Sequence, residues 1–147
     1  MMSQPQQVSV TDLDVSQLAE VRRQLEEELN HLTNSFAQLK RAQATFKACG
    51  ENAAELKAAN TGRTVLVPLT NSLYVPGTLS DPAHVLVDVG TGYFVRKTRE
   101  QAREHYSAKV EYIRTNLGTL EDTIGKKREN IGYLVDLTQA KLRQSAS

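Results

Sequence analysis

The segment from Thr64 to Lys97 constrains the fold of this chain most strongly, because it is the only stretch patterned like β-strands and a long helical pattern lies on each side of it. Apolar residues recur there at every second position, which indicates half-buried strands. Turn signals, among them Pro76 with Gly77 and Gly90 to Gly92, divide the segment. We therefore predict about four short strands arranged as two β-hairpins.

Two hairpins can bury little apolar surface by themselves, and isolated hairpins are marginally stable in water. We therefore predict that the segment is an assembly surface as well as the connection between the helices. The candidate assembly residues are Val65, Val67, Leu69, Tyr74, Val75, Val85, Val87, Val89, Tyr93 and Val95. The GTG sequence is interpreted as a hairpin turn and not as a phosphate-binding loop, since Val95 takes the place of the third glycine and a strand follows.

Apolar residues spaced alternately by three and four run from Leu18 to Leu56, and again from Tyr106 to Thr138. This heptad spacing predicts two long helices that pair as a coiled coil. The fold class is thus α+β, with a long antiparallel two-helix coiled-coil hairpin joined by two β-hairpins in one domain. The predicted parts are a flexible tail (1–13), helix 1 (14–61), the two hairpins (64–97) and helix 2 (98–143).

Both helix starts carry capping-box signals, Asp14 with Gln17 and Thr98 with Gln101.

Two charged residues interrupt the seam positions, Glu28 in the first helix and Lys127 in the second. If Leu32 pairs with Ile124 in the antiparallel register, Glu28 and Lys127 lie at one level. We predict that they face one another and help to fix the register.

The composition, with 39% hydrophobic and 24% charged residues, is that of a soluble protein. A formal net charge of +1 gives no field that would favour nucleic acid or a membrane as a partner. The N-terminal sequence lacks the apolar core of a signal peptide, and Cys49 is the single cysteine. We therefore expect a cytoplasmic protein without disulfides.

Candidate catalytic or metal-binding residues do not form a recognisable pattern. His31, His84 and His105 lie on separate elements without a second ligand at metal-binding spacing. Cys49 occupies a seam position, where it is interpreted as a small core residue. We predict no enzymatic activity, no metal and no cofactor.

Near the start of helix 1 and the end of helix 2 there are more apolar side chains than one seam can cover. Exposed apolar patches commonly mark binding sites. We expect seam residues there to be more exposed than their counterparts near the sheet; fraying of the helix ends is the alternative explanation of the pattern. The candidate binding residues are Leu18, Val21, Leu29, Leu134, Val135, Leu137 and Leu142.

The sequences VPLT, YVPG, HVLVDVGTGY and the final KT, within Val67 to Thr98, resemble the strand region of α-class prefoldin subunits. The resemblance implies a prefoldin-like fold and a heterohexamer of two α-class and four β-class prefoldin subunits. It also implies ATP-independent capture of unfolded clients such as actin and tubulin at the coiled-coil tips, and their delivery to the cytosolic group II chaperonin.

An alternative function is that of a coiled-coil adaptor or tether that binds one defined partner helix. Leu29 and Phe36 favour it, because they widen the apolar stripe of helix 1 beyond what a two-helix seam requires. Mixing with unrelated unfolded proteins separates the two hypotheses, since an adaptor does not suppress their aggregation.

Overall fold

The computed structural model describes residues 8–147. A short 3₁₀ helix at Val10–Asp12 precedes helix α1 (Val15–Glu55), and helix α2 (Arg99–Ser145) closes the chain. Between the helices lie strands β1 (Thr64–Pro68), β2 (Tyr74–Thr78), β3 (His84–Gly90) and β4 (Tyr93–Thr98). The predicted α+β fold with two β-hairpins is confirmed.

The residues divide into two compact units. The central unit is Lys40–Thr115 and holds both hairpins; the terminal unit takes in the described residues up to Leu39 together with Asn116–Ser147. The interpretation of residues 1–147 as a single domain stays a prediction.

Both helices start at the predicted capping boxes. The Asp14 carboxylate accepts a hydrogen bond from the Gln17 amide at 2.8 Å, and the Gln17 side chain accepts one from the Asp14 amide at 3.0 Å. Thr98 and Gln101 make the same reciprocal pair, each bond 3.1 Å long. These side chains satisfy amides that have no partner within a helix, which fixes where each helix begins.

Helix α1 ends at Glu55, earlier than the predicted boundary at residue 61. Arg99 donates from its guanidinium to the Leu56 carbonyl at 2.6 Å, which takes up a carbonyl at the helix end. The backbone then becomes extended at Lys57, whose amide is capped by the Asn60 side chain at 2.8 Å. Beyond this segment Gly62 adopts the left-handed φ of 80° in the turn before β1.

Helix α2 extends to Ser145, two residues beyond the predicted end. Of the predicted flexible tail (1–13), residues 1–7 lie outside the described part of the chain. Residues 10–12 form the 3₁₀ helix, closed by amide bonds from Asp12 to the Ser9 carbonyl and from Leu13 to the Val10 carbonyl. The segment directly before α1 is therefore ordered by local hydrogen bonds.

The strands form two separate two-stranded antiparallel sheets, β1 with β2 and β3 with β4. Val67 is opposite Val75 in the first sheet, and Val87 is opposite Val95 in the second. The predicted turn at GTG is confirmed, with Gly92 at a φ of 79° between β3 and β4. The core of the central unit is the cluster of Val87, Ala53 and Ala102.

Candidate interaction surfaces

The β3–β4 hairpin is partly covered on one face and open on the other. Val87 is completely buried against Ala53 of α1 and Ala102 of α2, with Val85 and Tyr106 packed around this cluster. The single chain thus already covers this predicted assembly residue, and its part in assembly stays a prediction. Two alanines at the helix positions let the strand approach closely enough that the chain's own helices cover the Val87 side chain.

The open face of this hairpin follows from its register. Leu86 is opposite Arg96 and Asp88 is opposite Phe94, so these four side chains share the face turned away from Val87. Leu86 and Phe94 are diagonal neighbours on that face, and both are exposed. An apolar pair in the middle of a solvent-facing sheet is a candidate contact for another chain.

Sequence analysis missed Leu86 and Phe94, as well as the exposed Leu66 and Leu73 of the first hairpin. In β1, β3 and β4 the prediction followed only one of the two alternating sets of side chains. The other set, Leu66 and Leu86, is also apolar, and a strand that is apolar in both sets is typical of a sheet covered on both faces.

The β1–β2 hairpin contains no buried residue: Val65, Val75 and Gly77 are half-buried, and the other seven residues of its two strands are exposed. Predicted assembly residues in this hairpin and its turn are accordingly open to solvent, namely Val67, Leu69 and Tyr74. In the second hairpin Val89, Tyr93 and Val95 are exposed as well. A register shift between Asp88 and Gly90 interrupts the strict alternation at Val89.

Asp81 ties the connection between the hairpins to the open face of the second one. Its carboxylate lies 3.0 Å from His84 Nδ1 and 3.0 Å from the Arg96 guanidinium, and it accepts the Ala83 amide at 3.1 Å. Desolvation raises the pKa of Asp81, but the bonds from His84, Ala83 and Arg96 outweigh it and leave the pKa below its usual value. The apolar Leu86 thus lies beside a fixed polar cluster.

A groove of about 640 Å³ lies between the two helices within the central unit. Phe46, Ala54 and Val110 contribute apolar lining, and Lys47 and Glu104 are among its charged residues. The groove lining includes no histidine or cysteine, so it offers no metal ligands of those types. Tyr106 lies in the wall of this groove. Its pKa is raised mainly by burial and, to a smaller extent, by the nearby Cys49 and Asp88.

In the terminal unit the expectation of exposed seam residues was wrong at two positions. Leu18 is 0% and Leu134 3% exposed, so they are among the most buried residues of the chain. At the helix ends Lys141 of α2 donates to the backbone carbonyls of Thr11, at 2.8 Å, and Leu13, which ties the segment before α1 to the last turn of α2.

The other predicted residues of this surface differ in exposure. Val21, Leu29, Val135 and Leu137 are half-buried, while Leu142 is 50% exposed. Sequence analysis missed three exposed neighbours of this region in the chain, namely Val8, Val10 and Tyr133. Whether any of these residues binds a client stays a prediction.

The predicted contact between Glu28 and Lys127 is confirmed. The lysine ammonium donates directly to the Glu28 carboxylate across the two helices of the terminal unit. The lysine side chain is largely covered and the glutamate is more open. A partly solvated pair of this kind specifies register more than it stabilises.

Among residues 8–147, no group of three or more His, Cys, Asp or Glu side chains is arranged to hold a metal ion. No helix in the described part of the chain is long and apolar enough to cross a membrane.

Comparison with known proteins gives consistent matches. The family model for prefoldin subunits matches residues 25–144. The chain is 43% identical over 136 residues to probable prefoldin subunit 5 of Schizosaccharomyces pombe, covering 91% of this chain and 88% of the relative. It is 34% identical over 139 residues to human prefoldin subunit 5, covering 95% and 90% respectively.

A solved structure, that of filamentous PFD from Methanocaldococcus jannaschii, is similar in fold. The match has a TM-score of 0.50 at 23% identity and covers 88% of this chain and 98% of that chain.

Proposed function

Since this chain belongs to the prefoldin subunit family, we propose that it joins other prefoldin subunits through its two hairpins and that the resulting complex binds unfolded polypeptides. The proposed complex is a heterohexamer of two α-class and four β-class subunits. It acts in the cytoplasm, without enzymatic activity of this chain, and delivers clients such as actin and tubulin to the group II chaperonin.

One observation carries the assembly step: ten exposed large apolar side chains lie between Leu66 and Val95. A two-stranded sheet with solvent on its apolar faces is marginal by itself and gains stability when further strands or a second sheet cover it. The outer edges of both hairpins are also open. The free amides and carbonyls along these edges can pair with strands of another chain.

Client binding is supported more indirectly, by the exposed apolar residues near the helix ends, including Leu142 and Val10. Burial of apolar area contributes about 25 cal/mol per Å² without requiring a particular shape, which suits a surface that accepts many unfolded chains. Several such surfaces on one complex would raise the effective concentration of weak sites.

The assembly step is tested by comparing two exposed aromatic residues of the central unit. Phe94, on the open face of β3–β4, is 62% exposed, and Tyr112, on helix α2, is 67% exposed. Phe94→Glu should abolish co-elution with partner subunits in size-exclusion chromatography, because it places a charge in the face that must become dry. Tyr112→Glu should co-elute normally, and circular dichroism should show both variants folded.

Normal assembly of Phe94→Glu would mean that the open face is not part of the interface.

For the client step, the assembled complex is mixed with denatured actin and light scattering is followed. Suppressed aggregation of actin and of unrelated unfolded proteins supports the chaperone function, whereas no suppression would favour the adaptor alternative.

A further inference from the structure

Leu18 is more completely buried than its position in the helix pair accounts for. It lies in the first turn of α1, where neighbouring turns exist on one side only. Val21, Leu25 and Leu32 have helical turns on both sides and yet remain half-buried. The 0% exposure of Leu18 therefore requires cover from something other than the seam.

The segment at residues 9–13, here termed the N-terminal strap, is placed to supply that cover. Its 3₁₀ helix turns the chain directly before α1, and Leu13 at its end is half-buried. Lys141 fastens it to α2 through bonds from one ammonium to the carbonyls of Thr11 and Leu13. Charge-assisted bonds of this type are stronger than neutral ones.

The charges around this fastening are balanced. The positive charge of Lys141 also lies close to the Asp14 carboxylate, whose pKa is lowered first by the Gln17 amide and the Ser16 hydroxyl, with Lys141 a weaker contributor. The stem of Lys141 is half-buried, so the side chain contributes apolar cover as well as its charge.

We propose that the N-terminal strap is an internal occupant of the apolar surface at the helix ends and that a client must displace it to reach Leu18. This inference rests on the proposed client-binding function and adds its regulation. Lys141 of α2 bonds to the strap, and the strap itself contributes one half-buried leucine, Leu13, so a client with a larger apolar area can compete with it. The subunit without a client then keeps part of the apolar surface at its helix ends covered.

The test uses the full chain assembled with its partner subunits, and denatured actin as the client. Lys141→Met retains the apolar stem and removes the donors to the strap. Lys126→Met is the matched control, because Lys126 is an exposed lysine on the same helix. Leu13→Ser is a second variant, which weakens the strap from its own side.

The first measurement is amide hydrogen exchange at Asp12 and Leu13, whose amides bond within the strap to Ser9 and Val10. Exchange should be about tenfold faster in Lys141→Met and Leu13→Ser than in the wild type, and unchanged in Lys126→Met. The second is the apparent Kd for actin, which should fall by up to about tenfold in the first two variants, since a binding surface closed most of the time loses affinity in proportion.

Faster exchange together with tighter client binding supports the proposal that a client must displace the strap. Unchanged exchange in Lys141→Met would contradict the claim that Lys141 holds the strap to α2. Faster exchange with an unchanged Kd for actin would contradict the claim that the strap limits client binding, although client binding by the wild type would still stand. If neither wild type nor variants bind actin, the proposed function fails and this inference fails with it. Exchange is measured without client, so the two failures are distinguishable.

Discussion

The two hairpins share one architecture and differ in what covers them. Each is a pair of antiparallel strands with a valine pair at its centre, Val67 opposite Val75 and Val87 opposite Val95. Val87 is 0% exposed, whereas Val67 is 41% exposed. The second hairpin is thus anchored in the chain's own core, while the first depends much more on a partner.

The largest expected effect comes from placing the same charge in both valine pairs. Val87→Asp buries a carboxylate without a partner beside Ala53 and Ala102, which should cost about 3 kcal/mol or more in the free energy of unfolding of the free chain. Val67→Asp meets solvent and should cost about 1 kcal/mol or less, mainly through lower strand propensity. Thermal or urea unfolding of the free chain measures both.

Equal destabilisation by the two substitutions would contradict the difference between the hairpins. Assembly gives the complementary result, since Val67→Asp should still prevent incorporation into the complex despite its small effect on the free chain.

A smaller effect should follow from enlarging the helix residue under the anchored hairpin. Ala102 is completely buried against Val87, so Ala102→Leu forces the strand away from α2 and should cost about 1–3 kcal/mol in unfolding free energy. Ala108→Leu, at an exposed position of the same helix, is the control and should be nearly neutral. An Ala102→Leu variant as stable as the control would mean that the contact with Val87 is loose.

The smallest effect concerns the polar cluster on the second hairpin. Because the pKa of Asp81 is lower in the folded chain, its contribution is present above about pH 4, the ordinary range of an aspartate, and is lost as the pH falls through the lowered value. Asp81→Asn should therefore remove this part of the acid dependence and speed amide exchange at Ala83. An unchanged acid profile in the variant would show that Asp81 does not order this loop.

Much of the fold could be predicted from the sequence, because the signals are local. The capping boxes at Asp14 and Thr98 and the turn at Gly92 depend on neighbouring residues, and all were placed correctly. The contact of Glu28 with Lys127 is distant in the chain, yet heptad spacing reduces it to a question of register.

What could not be predicted depends on contacts between distant segments. The end of α1 is set by Arg99, more than forty residues further along, and no local breaker marks Glu55. To predict that Val87 is buried, one would have to know that Ala53 and Ala102 both pack against the same strand. Leu18 was expected to be exposed because a helix loses its partner's cover at a free end, and heptad spacing does not predict that Lys141 bonds to the segment before α1.

Completion of the open hairpin faces by other subunits can be measured as hydrogen exchange at the strand amides, in the free chain and in the assembled complex. In the free chain, amides of β1 and β2 should exchange with little protection, while those of β3 around Val87 should be protected. In the complex both hairpins should be strongly protected. Strong protection of β1 and β2 in the free chain, unchanged on assembly, would contradict the account.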